Sequence, residues 1–271
     1  NDNDYEVTVT ASDGTNTTDQ TITVSVNDLN DNAPVFADVN YDITIVENTK
    51  GPTLLETTDA DTNSTVSYSL SGADAADFEI VNNTLALKEA ADFETKSSYA
   101  VTVTASDGKN TATQAVTYTI TDANDNAPVF TSNAAVSIDE NTTDVLTLAT
   151  TDADTNPTVT FSITGGADAD DFEVSKTGAL TLKDKPDFES GKTSYAVTVS
   201  ASDGTNTTNQ AITVTIEDTN DNAPVFKAGT SFFNIDEGGI SSGLIEVVAT
   251  DSDSSQAFSQ ITYAIENSGD S

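Results

Sequence analysis

The residues of this chain that can do chemistry are nearly all carboxylates and carboxamides, and they recur at fixed addresses. Asp28-Leu29-Asn30-Asp31-Asn32-Ala33-Pro34-Val35-Phe36 returns as Asp122 to Phe130 and as Asp218 to Phe226, at spacings of 94 and 96 residues. Ala11-Ser12-Asp13-Gly14 returns at Ala105 to Gly108 and at Ala201 to Gly204, again 94 and 96 apart. Thr58-Asp59-Ala60-Asp61 returns as Thr151 to Asp154 and as Thr250-Asp251-Ser252-Asp253. Glu47-Asn48 returns as Glu140-Asn141 and as Glu237-Gly238, and Asp92-Phe93-Glu94 returns as Asp187-Phe188-Glu189. Motifs kept in one order at near-constant spacing mark a tandem repeat. Their oxygens suit a hard cation such as Ca2+, which takes about six to eight oxygen ligands. A single Asp-x-Asp or Asp-Gly is ordinarily a solvated turn; it is the repeated arrangement that points to ligation.

Composition narrows the chemistry further. The chain has 45 acidic residues against nine lysines and no arginine, a net charge of −36. Such a field repels nucleic acid and anionic lipid and attracts cations. A salt-adapted surface accounts for bulk charge but not for acids at fixed addresses, and regular apolar alternation argues against disorder. Without Cys there is no disulfide or thiolate chemistry, and without His no imidazole acid–base work. No apolar run approaches the ~20 residues of a membrane helix, so membrane attachment is expected only through parts outside this chain. With no signal-peptide pattern at Asn1 and no Met, the chain reads as an internal piece of something longer.

Elements that reverse at regular intervals must position these acids. Tyr99-Val101-Val103 and Val116-Tyr118-Ile120 alternate with Thr as strands do, and Tyr195-Val197-Val199 and Ile212-Val214-Ile216 repeat the pattern. Between the first pair, Asp107-Gly108 favours a hairpin turn. Further short runs surround Ile43-Ile45, Leu54-Leu55, Val66-Tyr68-Leu70, Phe78-Ile80 and Leu85-Leu87, with no helix beyond a turn near Ala73 to Asp77. About seven strands in ~95 residues imply an all-β fold of tandem Greek-key sandwiches of immunoglobulin-like size. Two complete units, 33–121 and 127–217, are expected between two partial ones. Residues 1–27 are the last two strands of one repeat, and 223–271 the beginning of another; Tyr5 aligns with Tyr99. An open half-sandwich leaves 1–27 poorly ordered alone. The Phe after each Pro-Val is expected in a core.

Because a strand pair reverses at each turn, motifs one or two strands apart alternate between the ends of a sandwich. Glu47 with Asp92 and Glu94 is therefore expected at one end of 33–121. Asp152, Asp154 and Asp203 are expected at the other end of 127–217, with Asp122 to Asn126 between the two units. A second Asp-Phe-Glu, at Asp77 to Glu79 and Asp171 to Glu173, is read as loop. The Asn-x-Ser/Thr matches at Asn16 and Asn206 are read as chance in a chain this rich in Asn and Thr.

The nonamer, with Asp-x-Glu before it and Asp-x-Asp and Ala-x-Asp-Gly after it, resembles the cadherin family over essentially the whole chain. The resemblance implies about three calcium ions at each complete junction between sandwiches. At the second junction, Glu47, Asp92, Glu94 and Asp125 would hold the outer ion. Glu47, Glu94, Asp122, Asp125, Asp154 and the Ala123 carbonyl would hold the middle one. Asn124, Asp152, Asp154, Asp203 and the Asn126 carbonyl would hold the third. The first junction keeps Asp28, Asn30, Asp31, Asn32, Asp59, Asp61 and Asp107, enough for the third ion alone. The third junction keeps Glu140, Asp187, Glu189, Asp218, Thr219, Asn220, Asp221, Asn222, Asp251 and Asp253, but lacks a downstream Ala-Ser-Asp-Gly. Asp13 belongs to a junction whose other half is missing.

The resemblance implies a calcium-stiffened adhesive or spacer stalk outside the cell, whose partners are other repeats of this kind. A polysaccharide- or host-surface-binding module on the same scaffold is the alternative, with a surface glycan as partner; no Trp marks such a site. Nor can a docking mechanism that swaps a Trp-bearing strand be placed on this chain. A glycosidase with paired carboxylates is disfavoured, because the same acids recur once per repeat. Extreme acidity without Cys, His, Arg or Trp suggests a large bacterial surface protein.

Overall fold

Thr-rich alternation puts apolar side chains on one face of a strand and hydroxyls on the other, and it builds the longest strands here. The computed structural model describes residues 4–38, 41–62, 64–155, 157–227, 247–253 and 260–264. The chain divides into two compact units, Asn1–Ala123 and Asn124–Ser271. No helix among the described residues is long and apolar enough to cross a membrane.

The first unit opens on a hairpin, β1 (Asp4–Ser12) with β2 (Thr17–Ser25), in unbroken antiparallel register. Both its faces are exposed, including Tyr5, Val7, Val9, Ile22 and Val24. Next come β3 (Val35–Phe36), β4 (Tyr41–Val46), β5 (Thr53–Leu54), β6 (Thr57–Thr58), β7 (Ser67–Ser71), β8 (Phe78–Val81), β9 (Thr84–Leu87), β10 (Ser98–Ser106) and β11 (Thr111–Thr121). One sheet has the order β4-β11-β10-β7, and β5-β9-β8 and β3-β6 face it. The expected seven strands are present, but the first two are each split, as β3/β4 and β5/β6, and their segments pair in different sheets. β4 runs parallel to β11, which alternation alone does not reveal.

Alternate residues Val101, Val103 and Ala105 of β10 and Val116, Tyr118 and Ile120 of β11 meet Phe78, Leu85 and Leu87 in the core. Each large side chain so buried contributes about 1.5–3 kcal/mol. Tyr118 donates its hydroxyl to the Gly51 carbonyl at 2.8 Å. Gly51 has φ +57°, and a Cβ there would lie 2.8 Å from the Tyr118 ring. In the other unit Val214 holds the register position of Tyr118, and the turn is made without a glycine.

The second unit repeats the plan with β12 (Val129–Phe130), β13 (Ala135–Asp139), β14 (Asp144–Thr147), β15 (Thr150–Thr151), β16 (Thr160–Gly165), β17 (Phe172–Val174), β18 (Ala179–Leu182), β19 (Ser194–Ser202) and β20 (Thr207–Glu217). Sheets β13-β20-β19-β16 and β14-β18-β17 enclose a core of Leu180, Val197, Val199, Ile212, Val214 and Ile216. A last pair, β21 (Val225–Phe226) with β22 (Ala249–Thr250), follows. The helical content of the described residues is short 3-10 turns, Ala75–Asp77, Ala169–Asp171 and Phe188–Ser190, the first where a turn was expected.

One core expectation fails. Phe36 is buried and Phe130 packs on the core, but Phe226 is 66% exposed. Phe36 lies between Tyr41 and Tyr68, whereas the described ring contact of Phe226 is with Tyr263 alone, at 6.4 Å. Glu237-Gly238 lies outside the described residues.

Candidate metal centres

A glutamate at the end of β4 organises one end of the first unit. Glu47 is 3% exposed, and its carboxylate accepts from Phe93 N at 2.8 Å and Ala123 N at 2.7 Å. It thereby ties the Asp-Phe-Glu segment to the start of the linker that follows β11. Asn48 turns the chain away at φ +62°, a conformation open to Asn and Gly. Carboxylate oxygens of Glu47, Asp92 and Glu94 lie within 4.8 Å of one another. Asp92 is held below its ordinary value by the Thr95 hydroxyl and then the Thr95 N–H. Asp122 and Ala123 follow β11 directly.

The second unit repeats the buried glutamate at this end. Glu140, 2% exposed, accepts from Phe188 N and Thr219 N, both at 2.8 Å. Glu140, Glu189 and Asp218 form one group of mutually close carboxylates, and Glu189, Asp221 and Asp253 another, so Glu189 is shared. Burial, aided by the charges of Glu140 and Asp218, pushes the Glu189 carboxyl up. Asp253, 2% exposed, accepts from Asn222 N and Nδ2 at 3.3 and 3.0 Å, and its own N–H donates to Asp251. Asp187 instead caps the turn at Ser190, outside these groups, and Asn220 is exposed.

At the opposite end of each sandwich, the Asp-Gly turn meets the preceding linker. Asp203 accepts from Thr205 N and Asn206 N, both at 2.7 Å, while Gly204 takes φ +99°. Burial alone would raise Asp203, but these N–H donors outweigh it and hold its carboxyl low. Asp154, 5% exposed, accepts from Asn126 N and Nδ2, and Asp154 N donates to Asp152. Asp125 accepts from the same Asn126 amide at 2.9 Å. Asp152, Asp154 and Asp203 offer oxygens within 4.8 Å of one another.

The first linker is built likewise. Asn32 N and Nδ2 donate to Asp61 at 2.8 and 2.6 Å, Asp61 N donates to Asp59, and Asp28 accepts from Thr62. Asp31 accepts from Asn32 Nδ2 at 3.1 Å. Asp107 accepts from Lys109 N and Asn110 N.

Two asparagines that the motif reading left out hold the linkers. Asn206 Nδ2 donates to Asn124 Oδ1 at 3.1 Å and to the Asn126 carbonyl at 2.8 Å; Asn110 holds Asn30 and Asn32 in the same way. Asn206 is therefore a linker clamp, and the signal for it was the Asn three residues after each Asp of Ala-Ser-Asp-Gly.

Of the acids read as loop, Asp77 and Asp171 end 3-10 turns, but Glu79 and Glu173 lie on strands β8 and β17, paired with β9 and β18, and so are not loop. The two aspartates have protein cations beside them. Lys96 Nζ lies 2.6 Å from Asp74 and 3.3 Å from Asp77, and Lys192 lies 2.8 Å from both Asp168 and Asp171. Each ammonium also sits over a ring, Tyr99 or Tyr195, at 4.2 and 4.1 Å. Asp59 Oδ2, Asp152 Oδ2, Glu189 Oε1 and Asp253 Oδ2 are buried without a hydrogen-bond partner. Gathered, buried, partly unsatisfied carboxylate oxygens with no N or S donors fit a hard dication.

The family model described as "Cadherin domain" matches this chain twice, over residues 41–121 and 134–217. Protocadherin Fat 1 of Homo sapiens is 36% identical over 286 residues, spanning 96% of this chain and 6% of its own length. Cadherin EGF LAG seven-pass G-type receptor 2 of Mus musculus is 31% identical over 267 residues, spanning 91% and 9%. The chain thus corresponds to a small part of these relatives. Among solved structures, the Protocadherin GammaB4 extracellular domain superposes with a TM-score of 0.66 at 27% identity, over 93% of this chain and 45% of that one. A Protocadherin gammaB7 EC3-6 cis-dimer structure gives 0.69 at 26%, over 93% and 69%.

Proposed function

This chain belongs to the cadherin family, and from that premise we propose that its linkers bind calcium and thereby stiffen a cell-surface adhesion or spacer stalk. The observation that carries this is the pair of carboxylate groups sharing Glu189. Acids packed this closely repel one another strongly unless a cation lies among them. Glu140, Glu189, Asp218, Asp221, Asp253 and the Thr219 carbonyl are the ligands in this reading. Asn124, Asp152, Asp154, Asp203 and the Asn126 carbonyl form a further set, and Asn30, Asp59, Asp61, Asp107 and the Asn32 carbonyl form its first-linker counterpart. The repeat extends the same role to Glu47, Asp92, Glu94, Asp122 and Asp125.

Bound calcium would supply positive charge to which a sandwich, its linker and the next repeat all contribute ligands. Orientation across the linker would then follow from coordination, and the stalk would respond to external calcium. Repeats 33–121 and 127–217 are the rigid bodies in this reading, and other repeats of the same kind are the adhesive partners. Calcium is preferred over Mg2+, which demands near-ideal octahedral geometry and keeps its waters.

Calorimetric titration of the chain tests the ion choice: calcium is expected to bind at roughly 10⁻⁴–10⁻³ M and magnesium more weakly. Equal affinities would sink the ion assignment. Small-angle scattering tests the stiffening. The distance distribution is expected to broaden on chelation while β-sheet circular dichroism persists, and identical curves would leave the acids a role in solubility only.

A further inference from the structure

Three hairpins of this chain share the sequence Asp-Gly-x-Asn, and their third residues are Thr15, Lys109 and Thr205. The lysine changes the charge beside a linker. Lys109 Nζ donates to the Asn30 carbonyl at 2.7 Å, within the same linker residue whose side-chain oxygen is held by Asn110 at 3.1 Å. Thr205, at the matching place, brings no charge to Asn124. In the second unit Asp152, Asp154 and Asp203 gather within 4.8 Å, whereas the described residues hold no such group of Asp59, Asp61 and Asp107. Yet the neutral scaffold is the same: Asn110 and Asn206 reach the matching linker carbonyls at 2.7 and 2.8 Å. Two sets with one backbone plan therefore differ by a tethered ammonium.

Resting on the calcium reading above, the geometry points to Lys109 as a built-in competitor that lowers the calcium affinity of the first linker, so that linkers of one stalk fill at different calcium concentrations. An ammonium on Asn30 repels a dication held by the Asn30 side chain, Asp59, Asp61 and Asp107. It also partly neutralises those acids when no ion is bound. Both effects weaken calcium binding. The side chain is exposed, so the repulsion acts through solvent and shrinks with added salt. A change of about threefold to tenfold in affinity is the expected scale, the range of one surface charge interaction.

The test is a CaCl2 titration of the whole chain followed by amide NMR. Gly108 and Gly204 report the two hairpins separately. Because the linkers also differ in the acids upstream of them, the reciprocal substitutions carry the test. Lys109→Thr, which installs the residue of the other two hairpins, is expected to lower the calcium midpoint at Gly108 about threefold to tenfold and leave Gly204 unmoved. Thr205→Lys is expected to raise the midpoint at Gly204, and both shifts should shrink at high NaCl. If both hairpins titrate but Lys109→Thr does not move Gly108, the competitor role is wrong and the calcium reading stands. If neither hairpin responds to calcium, the calcium reading fails, and this inference with it.

Discussion

Each sandwich carries Asp-Phe-Glu twice, and the two copies meet opposite fates. Asp77 and Asp171 lie on 3-10 turns beside Lys96 and Lys192, where the protein supplies its own cation. Glu94 and Glu189 lie beside other carboxylates, Glu94 with Glu47 and Asp92, Glu189 with Glu140 and Asp218. The tripeptides are the same. What differs is the partner brought across the sandwich: a lysine held over a tyrosine in one case, a buried glutamate in the other. An acid answered by lysine has its countercharge within the sandwich, whereas an acid answered by acids is one that the calcium reading assigns to an ion.

The comparison breaks most visibly at the buried glutamates. Glu47→Ala is expected to cost about 2–4 kcal/mol in calcium, since Phe93 N and Ala123 N lose a charged acceptor as the site loses a ligand. Denaturant unfolding in millimolar calcium checks this; a loss no larger than that of a surface substitution would remove Glu47 as organiser. Next in size, Asp125→Ala should abolish much of the stability that calcium adds, about 1–3 kcal/mol. Asp77→Ala should cost about half a kcal/mol or less, because Lys96 retains Asp74. Equal calcium-dependent melting shifts for these two variants would overturn the distinction between the copies.

Glu189→Gln sharpens it by a change of sign. Removing this charge should stabilise the calcium-free protein, by relieving the cost of burying it and then its repulsion from Glu140 and Asp218, and destabilise the calcium-loaded one. Paired melts with chelator and with calcium read both signs.

The smallest effect is in pH dependence. Asp74 and Asp168 are held below the ordinary carboxylate range chiefly by Lys96 and Lys192. Their stabilisation is in place above the unfolded value of about 4 and is lost as pH falls through the depressed folded values. Glu189 has a raised value, so its cost in the calcium-free protein is present at neutral pH and relieved as pH falls through that value. Calcium-free melting temperature should therefore rise slightly on mild acidification in the parent, but not in Glu189→Gln. It should then fall at lower pH by less in Asp74→Asn than in the parent.

Much of this protein was legible in its residues alone. The tandem period, the all-β class and the oxygen-only donor set are local or compositional facts. Strand alternation at Val101-Val103 and the Asp107-Gly108 turn follow from backbone preferences within a few residues. Asn48 and Asn141 were visible as recurring residues, and both take φ of +62°, a conformation open to Asn. Other features were hidden because they depend on register between distant strands. The split of the first two strands, the parallel pairing of β4 with β11 and the clamp of Asn206 on a linker 80 residues away are of this kind.

Counting acids by repeat therefore determined which side chains could serve calcium, but not which of them stand together. Asp92 and Asp187 are matched letters in the two copies, and both cap the turn three residues on, at Thr95 and Ser190, yet among the described residues only Asp92 joins a carboxylate group. Lys109 is one letter in a repeat, and only the folded hairpin places its ammonium on Asn30, 79 residues away. Ligand identity is written in the chain because it is a property of single residues. Ligand grouping and the nearest countercharge are properties of distance, and distance across a sandwich is set by strand pairing and core packing, not by the letters of the motif.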